Sequence, residues 1–193
     1  MFTGIVEEVG VVRRAEPHRL VIGARKVLAG LEEGGSIAVN GVCLTAVAVT
    51  RAAFTVELSA ETLARTNLGA LAPGHQVDLE PPVAMGAPMG GHVVQGHVDG
   101  VCTVVELAGP PHARVLTIRV PRRLARYIME KGFVALDGIS LTVASRAGLR
   151  FSVSVVPYTY DHTVLAFRRP GDAVNIEVDI LAKYVERLVR GRS

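Results

Sequence analysis

Aromatic side chains make up only 5% of the 193 residues, the net charge is a mere +3, and there are two cysteines. Each scarcity excludes something. Nucleic-acid binding calls for a continuous basic stripe with interleaved aromatics on which bases stack. Here the basic residues fall in two local groups, Arg122, Arg123, Arg126 and Lys131, then Lys183, Arg187, Arg190 and Arg192, which read as solvated helix faces or ends. No nucleic-acid partner is expected. The cysteines, Cys43 and Cys102, are too few for a disulfide scaffold, and the opening MFTGIVEEVG has neither a basic stretch nor a long apolar one. Both features predict a protein of the reducing cytoplasm. The longest mostly apolar stretch, Ile37 to Val49, is interrupted by Asn40, Gly41 and Thr45 and is too short to span a bilayer. With 49% hydrophobic and 20% charged residues the composition is that of a globular chain with material for a core, not of a disordered one.

What is present is a sequence written twice. EGGSIAVNGVCLTAV, from Glu33, aligns with EKGFVALDGISLTVA, from Glu130, and one offset pairs Gly35 with Gly132, Ala38 with Ala135, Gly41 with Gly138, Leu44 with Leu141 and Thr45 with Thr142. The register continues through Phe54 and Phe151, Thr62 and Thr159, Thr66 and Thr163, to Gly74 and Gly171, Val77 and Val174, and Glu80 and Glu177. GIVEEVGVV from Gly4 pairs with GHVDGVCTVV from Gly96 at a slightly shorter offset. Two copies of one supersecondary unit follow.

Within each copy, runs rich in Val, Thr, Ile and Phe, such as Gly10 to Val12, Ser36 to Val39, Leu44 to Val49 and Phe54 to Leu58, are punctuated by Gly, Asn and Asp and predict strands. Residues 59 to 69 and 121 to 132 predict short helices, the second starting at Pro121 and stopping at Gly132. Closing a short-stranded sheet removes its exposed edges. The expectation is an all-β chain of two tandem six-stranded Greek-key barrels, over residues 1–91 and 92–179. A C-terminal helix, 180–193, follows. Its apolar residues Ile180, Leu181, Tyr184, Val185, Leu188 and Val189 fall at helical spacing opposite Lys183, Glu186, Arg187 and Arg190. That stripe packs either on a barrel of the same chain or on another chain.

Five ordered motifs, MFTGIVEEVG, NGVCLTAV at 40 to 47, ETLARTNLG at 61 to 69, GGHVVQGHVDG at 90 to 100 and KGFVALDGISLTV at 131 to 143, resemble the riboflavin synthase family over the whole chain. The resemblance implies a cofactor-free dismutation of two 6,7-dimethyl-8-ribityllumazine molecules by four-carbon transfer. It also implies a homotrimer whose active sites lie between the N-terminal barrel of one subunit and the C-terminal barrel of its neighbour. Residues 81 to 89, PPVAMGAPM, lack the basic residues that commonly precede the GGH motif, and 157 to 166, PYTYDHTVLA, depart from the family's PxTLxxTxLG.

A dismutation needs two copies of one molecule held face to face, and a duplicated pocket suits it. Differences between copies then assign donor and acceptor: Ile5 against His97, Gly34 against Lys131, Asn40 against Asp137, Cys43 against Ser140. The lumazine C7 methyl is acidic because its carbanion delocalises into the ring, so a modest base, a nucleophile and close stacking suffice. His97 is read as the proton acceptor, its ordinary pKa of about 6.5 suiting the task, against the alternative of a structural strand histidine. Cys43 and Ser140 are read as polar pocket groups, against a small buried hydrophobe and a turn hydroxyl. Each stands two residues before a matched threonine, so Thr45 and Thr142 share their strand face.

Gly4, Ile5 and Val6, and their counterparts Gly96, His97 and Val98, are expected to present backbone groups to the heterocycle. By resemblance, Phe2 and Thr3 belong to the binding set, with Leu44, Glu57, Leu58, Ser59, Ala60, Glu61 and Thr62 around the first substrate. Leu141, Val155, Val156, Pro157, Tyr158, Thr159 and Tyr160 surround the second. Lys131, Asp137 and Asp179 also stand at family site positions; for Asp137, a turn aspartate before Gly138 is the alternative. His92 and His97, five residues apart on an extended strand, point to opposite faces, so no metal is expected. A relative that binds lumazine or flavin without turning it over is the competing function. The retention of Phe2, Thr3, Cys43, His97, Lys131, Ser140 and Thr142 favours the enzyme.

Overall fold

A computed structural model describes residues 1–190. The β-branched runs form β1 (Glu8–Glu16), β2 (Arg19–Gly23), β3 (Ser36–Val39), β4 (Val42–Val49), β5 (Ala53–Glu57) and β6 (Gln76–Glu80). Their repeats are β7 (Gly100–Ala108), β8 (Arg114–Arg119), β9 (Phe133–Leu136), β10 (Ile139–Ala147), β11 (Arg150–Val155) and β12 (Ala173–Val178). Antiparallel pairing closes β1-β2-β5-β4-β3-β6 into one barrel, and the second copy closes in the same cyclic order. Bulges recur at matching places, between Val12 and Arg14 and between Val104 and Glu106, and again between Ala46 and Ala48 and between Val143 and Ser145. A bulge bends and twists its strand, which a barrel this small needs to close.

Strand alternation decides which side chains fill the barrels. On β4, Val42, Leu44 and Ala46 point inward, and on β10 Ile139, Leu141 and Val143 do the same; Cys43, Thr45, Ser140 and Thr142 face out. Each barrel has its own apolar core, and a small cluster of Phe2, Ala38, Val94 and Ala135 lies between them. Phe2 and Val94 pair through N–H···O bonds of 2.8 and 3.1 Å in each direction, which ties the start of one copy to the start of the other.

The barrels meet at their hairpin tips. Asn40-Gly41 and Asp137-Gly138 each place two successive residues at positive φ, the mirror-image turn that fits a two-residue hairpin. The tips abut so closely that a Cβ on Gly41 would lie 2.6 Å from the Gly138 nitrogen. Asp137 is completely buried there. It accepts from Asn67 Nδ2 at 2.9 Å, from Asn175 N at 2.9 Å and from Arg168 Nε at 3.0 Å. Asp137 thus stands in the hairpin turn with its carboxylate enclosed between the barrels.

Residues 59 to 69 form α1 (Ala60–Arg65), capped by Ser59 Oγ accepting from Thr62 N, then a 3₁₀ turn over Asn67–Ala70. The second copy repeats this as α2 (Pro157–Asp161) and a turn over Val164–Phe167. The helix expected over 121 to 132 is instead a single 3₁₀ turn at Ala125–Tyr127 between looser turns. Leu124, Ala125 and Ile128 enter the second core and Tyr127 packs against it, and the backbone is already extended at Ile128, which ends the helical turn there.

After the second barrel comes α3 (Ile180–Arg190); residues 191–193 of the expected helix lie outside the described residues. It docks by its polar side. Lys183 Nζ pairs with Asp99 Oδ1 at 2.7 Å, Glu186 Oε1 with Arg126 Nε at 3.1 Å, and Tyr127 OH donates to Glu186. Leu181, Tyr184, Val185, Leu188 and Val189 all face outward, Leu188 at 70% exposure. Of the two packing alternatives, the same-chain barrel is thus not what covers the apolar stripe.

Candidate active site

Ahead of each barrel runs a lead-in, residues 2–7 and 94–99, which a buried carboxylate holds down. Glu80 accepts from Thr3 N at 2.7 Å and Gly4 N at 3.1 Å, and Glu177 accepts from Gln95 N at 2.7 Å and Gly96 N at 2.9 Å. Burial raises the pKa of both carboxyls, and these backbone donors pull it back. Fixed in this way, each lead-in lies against the opposite barrel. Gly4 O accepts from Ser140 N at 2.8 Å and Gly96 O from Cys43 N at 2.9 Å. Val6 packs on the second core and Val98 on the first. Both glycines hold positive φ, 76° and 80°, and a Cβ on either would sit 2.6 or 2.5 Å from the Cβ of Ser140 or Cys43. Only glycine permits that approach.

Each lead-in thus faces the barrel of the other copy. His97 shares a pocket with Cys43, and Ile5 stands with Ser140. A cavity of about 410 Å³ opens between Cys43 and Val42 on β4, Glu61, Thr62, Arg65 and Thr66 around α1, and Gly96, His97, Val98, Asp99 and Arg123. Six of the expected site residues meet there: Cys43, Glu61, Thr62, Gly96, His97 and Val98.

The corresponding surface of the second barrel differs in chemistry. At the places of Glu61 and Arg65, an ion pair at 2.5 Å, stand Tyr158 and His162, with rings stacked 4.0 Å apart. Tyr160 lies under the Arg114 guanidinium, 3.6 Å from ring centre to Cζ. Beside Ser140 is a group the sequence reading passed over. His92 Nδ1 lies 2.7 Å from Ser140 Oγ in a hydrogen bond, and its ring stacks on Phe133 at 5.1 Å. Burial lowers the His92 pKa while the Asp179 charge raises it, which favours the neutral imidazole able to accept the serine proton. Residues 92–99 are irregular apart from the bridge at Val94, so the strand argument applied to His92 and His97 does not hold. His92 is buried and His97 exposed. Among the described residues no cluster of three or more His, Cys, Asp or Glu is placed to hold a metal.

A lumazine binding domain model matches residues 3–81 and again 95–179. The riboflavin synthase of Mycobacterium tuberculosis is 48% identical over 98% of each chain, that of Actinobacillus pleuropneumoniae 41% over 98% of this chain and 90% of the relative, and that of Bacillus subtilis 35%. The chain belongs to the riboflavin synthase family. The fold is also that of LumP complexed with riboflavin, with a TM-score of 0.87 and 23% identity over 92% of this chain and 99% of the other. LumP complexed with 6,7-dimethyl-8-(1'-D-ribityl) lumazine aligns at 0.83.

Several other residues expected in the site do not line that cavity. Asp137 offers no face to a ligand, because it is wholly enclosed between the barrels. Leu44, Leu58, Leu141 and Val155 turn their side chains into the cores, and Phe2 is buried between the barrels. Thr3 is buried on Glu80, and Glu57 pairs with Arg19 at the surface. Lys131 is an exposed turn residue with φ 65° whose N–H donates to Val143 O. Asp179 Oδ1 accepts from Leu181 N at 3.0 Å and starts α3. Val156 and Pro157 begin α2, Ala60 begins α1, and Thr159 O accepts from Thr163 Oγ1. Sequence reading missed Arg65, Thr66, Asp99 and Arg123 of the cavity, along with His92. The ETLARTNLG and GHVDG motifs held the signal for the first three.

Proposed function

We propose that this chain is a riboflavin synthase, which converts two molecules of 6,7-dimethyl-8-ribityllumazine into riboflavin and 5-amino-6-(D-ribitylamino)uracil. The observation that carries the reading is the crossing of the lead-ins. It puts a base, His97, and a thiol, Cys43, into one pocket of a duplicated lumazine-binding fold. Identity of 48% to a riboflavin synthase over nearly the whole chain supports it.

His97 takes a proton from the C7 methyl of one lumazine, and the carbanion attacks the ring of the other. The donor's two C–N bonds to its C6–C7 unit then break, leaving the diaminouracil, and those four carbons join the acceptor's own C6, C7 and two methyl carbons to close the dimethylbenzene ring. Atoms and electrons balance between the two substrates, so no oxidant or cofactor is required. At the second surface, the His92–Ser140 pair supplies the polar group that handles the nucleophile or proton. The two lumazines face each other across chains: the outward apolar stripe of α3 supports a homotrimer in which the first barrel of one subunit meets the second barrel of its neighbour. No helix of the described residues is long and apolar enough to cross a membrane, and the proposed setting is the cytoplasm. The test is incubation of dialysed, chelator-treated protein with the lumazine alone. Lumazine absorbance should give way to that of riboflavin, and binding without conversion would assign the chain to the non-catalytic relatives instead.

A further inference from the structure

Asp99 lines the His97 pocket, and every polar group it has is engaged. Its N–H donates to Ile176 O at 2.8 Å, and its carbonyl accepts from Arg123 Nη2. One carboxylate oxygen accepts from Val178 N at 2.9 Å and the other from Lys183 Nζ at 2.7 Å. The first three partners belong to the second barrel and its end turn, and the fourth comes from α3. In the first copy the acid at this place is Glu7, whose N–H likewise donates to a strand carbonyl, that of Leu79, at 2.9 Å. Its carboxylate pairs with Lys26 of the same barrel at 3.1 Å. The second copy has thus replaced an in-barrel lysine by one on an added helix. Lys183 and Asp99 are largely sheltered, with side-chain exposures of 26% and 18%, against 66% and 39% for Lys26 and Glu7. An ion pair that water reaches less is weakened less by screening and fixes its partners better.

We infer that Lys183 is a positioning residue: through Asp99, two residues from His97, it makes the docking of α3 set the geometry of the His97 pocket. This rests on the riboflavin synthase reading for what the pocket does, but not for the link itself.

The decisive comparison sets Lys183→Met and Lys183→Arg beside the wild type. Three measurements are made: turnover of 6,7-dimethyl-8-ribityllumazine, hydrogen exchange in peptides covering residues 96–100, and mass by sedimentation. The Met variant should keep the wild-type mass, exchange faster at 96–100, and lose about tenfold in kcat with a smaller change in KM, since ångström-scale misplacement of a reacting group costs rate before binding. The Arg variant should recover most of both. Exchange and turnover of Lys183→Met equal to wild type would overturn the inference, and so would an Arg variant as impaired as Met. If Lys183→Met changes the mass, Asp99→Asn, which leaves the sequence of α3 unchanged and keeps an oxygen acceptor for Lys183, decides by the same exchange measurement at wild-type mass. A wild type that makes no riboflavin sinks the functional reading alone, because exchange at 96–100 still reports the link.

Discussion

Asp78 and Asn175 occupy equivalent positions in the two copies, and each accepts a backbone N–H from the opposite barrel. Asn175 Oδ1 takes the Asn67 N–H at 2.7 Å and Asp78 Oδ1 takes the Val164 N–H at 2.9 Å. The remaining side-chain atoms differ. Asn175 Nδ2 donates to Asn40 O at 2.8 Å, whereas Asp78 Oδ2 is the one buried side-chain polar atom among the described residues with no partner. By the internal symmetry its counterpart acceptor is the Asp137 carbonyl, to which only a protonated carboxyl can donate. Burial pushes the Asp78 pKa well above the usual carboxylate range. The Asp137 charge adds to this, and the Val164 N–H and Arg168 oppose it.

Asp78→Asn is therefore expected to stabilise the fold at neutral pH. In the unfolded chain the Asp78 proton leaves near pH 4, while in the fold burial holds it to higher pH. The unfolded state then binds fewer protons, and stability falls as pH rises from that value through the raised folded pKa. The asparagine keeps the donor without the proton. Urea unfolding at pH 5 and pH 8 should show a gain of about 1–2 kcal/mol for the variant at the higher pH and a flatter dependence between the two. An unchanged slope would mean that Asp78 is ionised in the fold.

Asp137→Ala should act on folding, not on ligand affinity. It leaves the Arg168 guanidinium, 15% exposed, without its buried carboxylate, and breaking such a pair costs about 3–5 kcal/mol. The variant's urea midpoint should drop accordingly. A fold as stable as wild type, with weakened lumazine binding, would return Asp137 to the binding site.

His97→Ala is expected to cut turnover by about 10²–10⁴-fold, the usual worth of a general base, with little loss of lumazine affinity. Exchange of the C7 methyl protons with deuterated solvent, followed by NMR under enzyme excess, isolates that step. Wild-type exchange rates in the variant would move the proton acceptor elsewhere, His92 being the next candidate.

Leu188→Asp places a charge in the outward stripe of α3 without touching Lys183 or Glu186. Sedimentation should show the assembly falling to monomers. If the mass is unchanged, that stripe is not the interface.

The barrels were legible because duplication doubled the signal: a strand pattern seen once is ambiguous, but the same pattern at a fixed spacing is not. Asn40-Gly41 and Asp137-Gly138 even marked the hairpins. The crossing of the lead-ins was not legible. Gly4 aligns with Gly96 whichever barrel each one touches, so self-similarity carries no information about exchange, nor about which of Cys43 and Ser140 stands beside His97. The burial of Asp137 was illegible for a related reason. A turn aspartate is normally at the surface, and burial arose only because two turns abut. His92 was weighed only as a metal ligand, since its serine partner lies 48 residues away in the chain.

The exchanged lead-ins also bear on how the two copies can differ. Gly4 against Ser140 and Gly96 against Cys43 are the two halves of an isologous contact, the kind made by two identical chains about a twofold axis. Two identical chains would carry one residue type at the places of Ile5 and His97, whereas a single chain holding both copies can set an apolar side chain at one and an imidazole at the other.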